Sequence, residues 1–232
     1  MTIAEQILSA KWYYDEVYAA GYEKGKAEGG GGSQALGALY YAANIAYLYD
    51  QAVFPENTSL TLRLEKPPSS AANTLGAYRA FAQASGLKNL KIVMDDKDKP
   101  WYIRHMFNEN KSIETVDFTE CSRKFIGADH AFYNATALIS VFGALDVSEC
   151  TNLSFAFHAT ALMDIEFVPN TITTDIRFPS GYLSEASKES IINGLVDLTG
   201  STTKTITLNG VGRNLTDDQK ERISAKNWTL AY

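Results

Sequence analysis

Three histidines, His105, His130 and His158, stand beside phenylalanines that recur about every 25 residues, so they could align as a ladder of imidazoles. Convergence within a few ångströms would make a metal or acid–base site. Units laid side by side instead put equivalent residues in a line, and solvated or turn-packing histidines are then the simpler reading. Asp95-Asp96-Lys97-Asp98 begins like a calcium loop, but the glycine and the distal glutamate are absent at the required offsets, which leaves a solvated turn. Asp117 and Asp146 occupy matching places in Asp117-Phe118-Thr119-Glu120-Cys121 and Asp146-Val147-Ser148-Glu149-Cys150. They are the one carboxylate pair that could serve glycan hydrolysis, which needs a separation of about 5 to 9.5 Å. Cys121 and Cys150 would lie about one strand spacing apart in adjacent units, close enough for a disulfide; two small buried apolar residues is the reading favoured. No Gly-x-Ser-x-Gly, phosphate-cradling loop or Cys-His-Asn arrangement is present, so the expectation is a chain without catalytic residues, metal or cofactor.

The elements that must carry these residues follow one frame. A turn holds an aromatic pair, a small polar spacer follows, and a hydrophobic residue opens a short alternating strand. The copies run Ala80-Phe81 to Leu87, Leu90 and Ile92; Met106-Phe107 to Ile113, Val116 and Phe118; Ala131-Phe132 to Leu138 and Val141; and Ala156-Phe157 to Leu162, Ile165 and Phe167. Units of this size cannot bury their own apolar face and stack on their neighbours. In the third unit Leu145-Asp146-Val147 aligns better with Val116-Asp117-Phe118 than Val141 does, as if about four residues were inserted. Lys91, Asp117, Asp146, Glu166 and Arg177 then point outward between inward-facing apolar residues, in a row of mixed charge suited to a polar partner, protein or glycan.

Residues 1–20 repeat Ile3, Ile7, Val17 and Tyr18 at helical spacing and predict an amphipathic helix with one side in want of a partner. Gly29 to Ser33 is a linker, because glycine loses too much freedom to hold a helix. Residues 1–33 are thus expected to attach or oligomerise the protein, against the alternative of a frayed terminus. Residues 34–51, apolar nearly all round behind Ser33, predict a second helix within a capping segment, 34–58, that covers the first unit or packs on a sister subunit. Residues 59–232 form the body: a strand over Leu60–Leu64, an Ala-rich helix over 71–85, the repeats, and the strand Ile176–Phe178. The C-terminal part predicts a helix over 184–198, a strand at Ile206–Leu208, a short helix over 216–226 with Thr216 and Gln219 at capping-box spacing, and a last strand at Trp228–Leu230.

With 232 residues, 45% of them hydrophobic, there is enough apolar side chain for a real core. A net charge of -6 argues against nucleic acid as a partner. The start of the sequence has no basic segment leading into an apolar run, so export by a secretory signal is not expected. Gly29 to Tyr49 lacks charge, but its glycines, Asn44 and tyrosines argue against membrane insertion.

The spacing Ala-Phe, five residues, Leu, two residues, Ile or Val, one residue, Phe resembles the BspA-like leucine-rich repeat, most clearly in Ala156 to Phe167 and Ala131 to Val141. Leu183 to Tyr232 is similar to the terminal part that follows such repeats in prophage and bacteriophage virion proteins, with Ser190 to Leu198 as its helix and Lys226 to Ala231 as its close. Gly21 to Lys26 matches a Gly-Tyr-x-x-Gly-Lys often found near the start of tail proteins. The family's usual turn asparagine is missing from most units. The resemblance implies an α/β leucine-rich-repeat-like solenoid whose short strands form one sheet, preceded by N-terminal helices. It implies a non-enzymatic structural protein of the virion, in the tail, baseplate or fibre, made in the host cytoplasm. Such a protein would be homo-oligomeric, joined to other virion proteins through its N-terminal segment, and would bind a host surface protein or glycan. A bacterial cell-surface adhesin is the alternative, and it would need an export signal or anchor.

Overall fold

The computed structural model describes the backbone of residues 35–41 and residues 45–46, 48–64, 67–68, 76–178, 181–210 and 214–232. The expected helix over 1–20 and the linker after it lie outside the described residues. The fold is α/β with parallel strands. Six strands form the main sheet in the order β1 (Ala35–Tyr41), β2 (Val53–Leu64), β3 (Ser85–Met94), β5 (Thr115–Glu120), β7 (Ser140–Leu145) and β8 (Asp164–Phe167), each parallel to its neighbour. A second, two-stranded ladder pairs β4 (Trp101–Tyr102) with β6 (Phe125–Gly127), and a third sheet runs β9 (Ile176–Phe178), β10 (Lys204–Leu208) and β11 (Trp228–Ala231). Two helices occur among the described residues, α1 (Glu185–Gly194) and α2 (Asp217–Ala225), and no helix there is long and apolar enough to cross a membrane.

Strand order follows chain order along the main sheet because each unit lies beside the one before it. Its alternating residues put Leu60, Leu62 and Leu64 of β2, Leu90 and Ile92 of β3, Val116 and Phe118 of β5 and Ile165 and Phe167 of β8 into one core. Through that core runs a column of rings, Tyr49, Phe81, Phe107, Phe132, Phe157 and Phe178, with successive centroids 5.2, 5.6, 5.1, 5.6 and 5.3 Å apart and the four phenylalanine pairs within 16° of parallel. Stacked rings at this spacing contribute beyond the area they bury. Trp101, Phe118 and Phe125 make a second, edge-to-face cluster.

The segments between the strands are not helical, and here the Ala-rich expectation for 71–85 is corrected within its described part, 76–84. The amides of Ala77, Arg79, Phe81 and Gln83 donate to the carbonyls of Tyr102, Arg104, Met106 and Asn108 in the next unit. Bonds to a neighbour replace the intrahelical ones, and they override the helix propensity of alanine. The same alternation links Ile103, His105, Phe107 and Glu109 to Gly127, Asp129, Ala131 and Tyr133. Each segment is a chain of tight turns with positive φ at the third residue, at Arg79 and Gln83, His105 and Glu109, His130 and Asn134. The side chain of Asn110 closes the turn below it, donating to Phe81 O and accepting from the amides of Ser112 and Ile113.

Residues 35–41 correct the second helix expected over 34–51: they form β1, in register with Ala35 opposite Ser59 and Tyr41 opposite Leu64. A continuous apolar run has no period to separate helix from strand, and the short run before Asn44 fits a strand. At the far end the expected elements occur. Ser184 caps α1, Thr216 and Gln219 form the capping box of α2, and β9, β10 and β11 pair in parallel. Ser187 and Ser190 of α1 accept hydrogen bonds from the amides of Ile165 and Phe167, so hydroxyls occupy the outer edge of β8. Lys226 donates to the carbonyls of Ile192 and Leu195, Asn227 to Leu198 and Ser201, and the indole of Trp228 to Val196, which fastens the chain end over the exit of α1.

Candidate functional site

The outward face of the main sheet carries two rows of side chains at right angles to the strands. The first is Ser59, Asn89, Thr115, Ser140 and Asp164, each opposite the next across the ladder. The Asn89 amide donates to Ser59 Oγ at 2.9 Å and accepts from Thr115 Oγ1 at 2.8 Å, and Ser140 donates to Asp164 at 3.2 Å. Two residues along, Thr61, Lys91, Asp117 and Phe142 make the second row. Ser59, Asn89 and Thr115 of the first row and all four residues of the second line an open depression of about 240 Å³, smaller than a drug-sized ligand requires and open enough for part of a larger partner.

Lys91 lies 3.7 Å from Asp117 and 2.5 Å from Glu120. The hydrogen bond that Lys91 donates to Glu120 raises the Lys91 ammonium above its ordinary range, and the same bond holds the Glu120 carboxyl below its own. Both groups are solvated, so the pair fixes position more than it stabilises the fold. Phe142 stands beside this charge with 46% of its surface exposed, an apolar ring in a polar row.

Only part of the expected row assembles. Lys91 and Asp117 are neighbours on this face, and Glu166 lies exposed on β8. Asp146 does not follow Asp117: Val141 and Phe142 of β7 pair with Val116 and Asp117, while Asp146 bridges to Lys124 behind β6. The shift placed in the third unit is corrected by a bulge. Gly143, at φ +98°, lies between the paired Val141 and Leu145, so the insertion is absorbed within β7. The likeness of the two Asp-containing segments is one of turn chemistry. Asp117 Oδ1 accepts from the amide and hydroxyl of Thr119, as Asp146 Oδ1 does from those of Ser148. Arg177 also leaves the row, opposite Thr207 in the third sheet. Asn89, Thr115 and Phe142 were missed by a reading that looked for charge. The signal for Phe142 is the strict frame, since Leu90, Val116 and Val141 each stand nine residues after a turn phenylalanine.

The cysteines are free and buried, with no bond between them. Burial pushes both thiols up, Cys150 to about 12. The histidines separate into two environments. His105 and His130 stack at 4.8 Å and 3° from parallel, with Phe155 continuing the column beyond His130, whereas His158 stacks on Tyr133. Asp129 lies between the first two, 3.9 Å from His105 Nε2 and 3.8 Å from His130 Nδ1, while Arg104 holds its carboxylate. These three residues, with donor atoms within 4.8 Å of one another, are the group among the described residues that could hold a metal ion. No family model, curated protein or solved structure matches the chain.

Proposed function

We propose that this chain is a non-enzymatic binding protein, built as a leucine-rich-repeat-like solenoid, that engages a polar macromolecule through the outward face of its parallel sheet. The observation that carries the reading is the join between the Ser59–Asp164 row, a line of hydroxyl, amide and carboxylate groups across five strands, and Phe142 beside Lys91 and Asp117. An exposed aromatic ring set among fixed hydrogen-bonding groups suits a sugar ring or a polar protein surface. Asp117 is engaged by Thr119 and Lys91 and Asp146 by Ser148, which supports binding over hydrolysis as the task of these carboxylates.

The resemblance of Leu183 to Tyr232 to the ends of phage proteins supports a place in the virion, as a tail, baseplate or fibre component, with residues 1–33 joining it to other virion proteins or to further copies. Host surface glycan or protein is the partner the face would meet there.

The test is to immobilise the full chain and a Phe142→Ser, Lys91→Glu variant and to measure retention of bacterial cell-envelope fragments by biolayer interferometry. Binding that the variant loses supports the reading. Equal retention by both proteins, or none by the parent, overturns it.

A further inference from the structure

We infer that His105, Asp129 and His130 form a binding site for one divalent transition-metal ion of the zinc class, spanning two neighbouring units on the side of the molecule that carries the turns. Two imidazoles and a carboxylate are the borderline donor set that zinc, nickel and copper take, and hard cations that prefer oxygen are poorly served by it. Three protein donors leave a fourth position open, which is the arrangement of a ligand-exchanging zinc site.

The placement of these donors is built into the backbone. His105 and His130 each take the positive-φ place of a tight turn, at 53° and 54°, a conformation in which histidine is enriched among residues other than glycine. The His105 amide donates to Asp129 O at 3.1 Å, which locks the two turns in register and brings the carboxylate beside both rings. Tyr78 packs against His105 and Phe155 against His130, so the imidazoles are held between aromatic neighbours. Nδ1 of His130 is buried, faces Asp129, and has no hydrogen-bond partner among the described residues. A buried nitrogen in that state has lost water and gained nothing in exchange, and a metal ion would satisfy it.

The surroundings fix what binding must change. Coordination bonds of about 2.0–2.2 Å require all three donors to close inward from their present separations, and, because the lone pairs lie in the ring planes, they require the two imidazoles to tilt out of their parallel stack. Arg104 spans both oxygens of Asp129, its Nε beside Oδ1 and its Nη2 donating to Oδ2 at 3.1 Å, so Asp129 contributes Oδ2 to a metal as that second bond is released, with Nε kept on Oδ1 in the outer-partner role that orients ligands in metal sites. The Arg104 charge nevertheless opposes a cation, and Arg79 is already forked onto Asp50. The site is therefore expected to be selective for ions that bind imidazole strongly and indifferent to calcium and magnesium.

Zinc titration of the chelator-treated full chain by calorimetry tests this, with cobalt as a spectroscopic probe. The expected result is one zinc ion per chain, with affinity reduced at least about tenfold in His105→Gln and in His130→Gln, unchanged in His158→Gln, and increased in Arg104→Gln. Cobalt should give the intense visible bands of a low-symmetry site. Absence of zinc binding at millimolar concentration, or equal loss in His158→Gln, would overturn the inference. Should the His105 and His130 variants fail to fold, the parent protein decides alone: cobalt that adds only the weak spectrum of the aquo ion refutes the site.

Discussion

Single residues in this molecule are fixed by what their neighbours in the next unit allow. Gly86, at φ +79°, has the Phe54 carbonyl where a side chain would begin, 2.1 Å from the position of a Cβ. Gly86→Ala is expected to destabilise the protein by well over about 1 kcal/mol in urea titration, since the strain of the dihedral and the clash add. Cys121 and Cys150 lie in the core with thiols raised by burial, so iodoacetamide should label neither in the native protein and both after denaturation, as mass spectrometry would register. Asn110 holds one turn with three hydrogen bonds, whereas the equivalent place is Ala84 or Ala135 in neighbouring units and Thr160 in another, where the hydroxyl reaches Phe157 O. Spacing in the sequence located the positions of these residues well. It could not reveal that His105 and His130 meet across a turn beside Asp129, because that contact depends on which residue of the turn takes positive φ.

Among the elements, the turn segments and the ring column bear most of the stacking. Phe107 touches rings on both sides and is fully buried; Phe107→Ala should lower stability by about 3–5 kcal/mol in denaturant titration, more than the same change at Tyr49, at the end of the column. The joint between α1 and α2 rests on Glu189, which accepts from Gln219 and Arg222. Those bonds hold its carboxyl below the ordinary value of 4.5, so the unfolded chain takes up the proton first on acidification. The resulting stabilisation is complete above that value and is lost as pH falls through the lower, folded-state value. Glu189→Gln should accordingly lower thermal stability at neutral pH and flatten the acid limb of the profile below about pH 4.5, where variant and parent converge. The alternating strands and the capped C-terminal helix were legible because period two and the Thr216–Gln219 spacing are local signals. The strand at Ala35–Tyr41 and the turns at 76–84 were not, because alanine and tyrosine runs carry no decisive period and the deciding hydrogen bonds go to another unit.

At the scale of the molecule, order along the chain becomes order along the sheet. Interior strands β3, β5 and β7 have a bonded partner on each side, so their amides should exchange with deuterium most slowly, and those of β1 and β11 soonest; uniform protection from end to end would mean that the units do not act as neighbours in a row. The repeat length in the sequence already implied side-by-side units and stacked phenylalanines. The division into three sheets in place of the one expected was hidden: Trp101–Tyr102 is too short to show alternation, and the strand Ile176–Phe178, legible with its inward and outward residues, carries no signal of which strand it pairs with.

The two serine hydroxyls of α1 that occupy the amides of β8 give the molecule a direction. A sheet normally offers a template at both margins, and an extended peptide can pair with whichever margin is free. With this margin sealed by side chains of its own polypeptide, growth of the sheet by an added strand, whether in assembly or in aggregation, is blocked at the β8 side. Disrupting the seal with Ser187→Ala and Ser190→Ala should therefore turn a terminating surface into an adhesive one, seen as association between otherwise intact molecules.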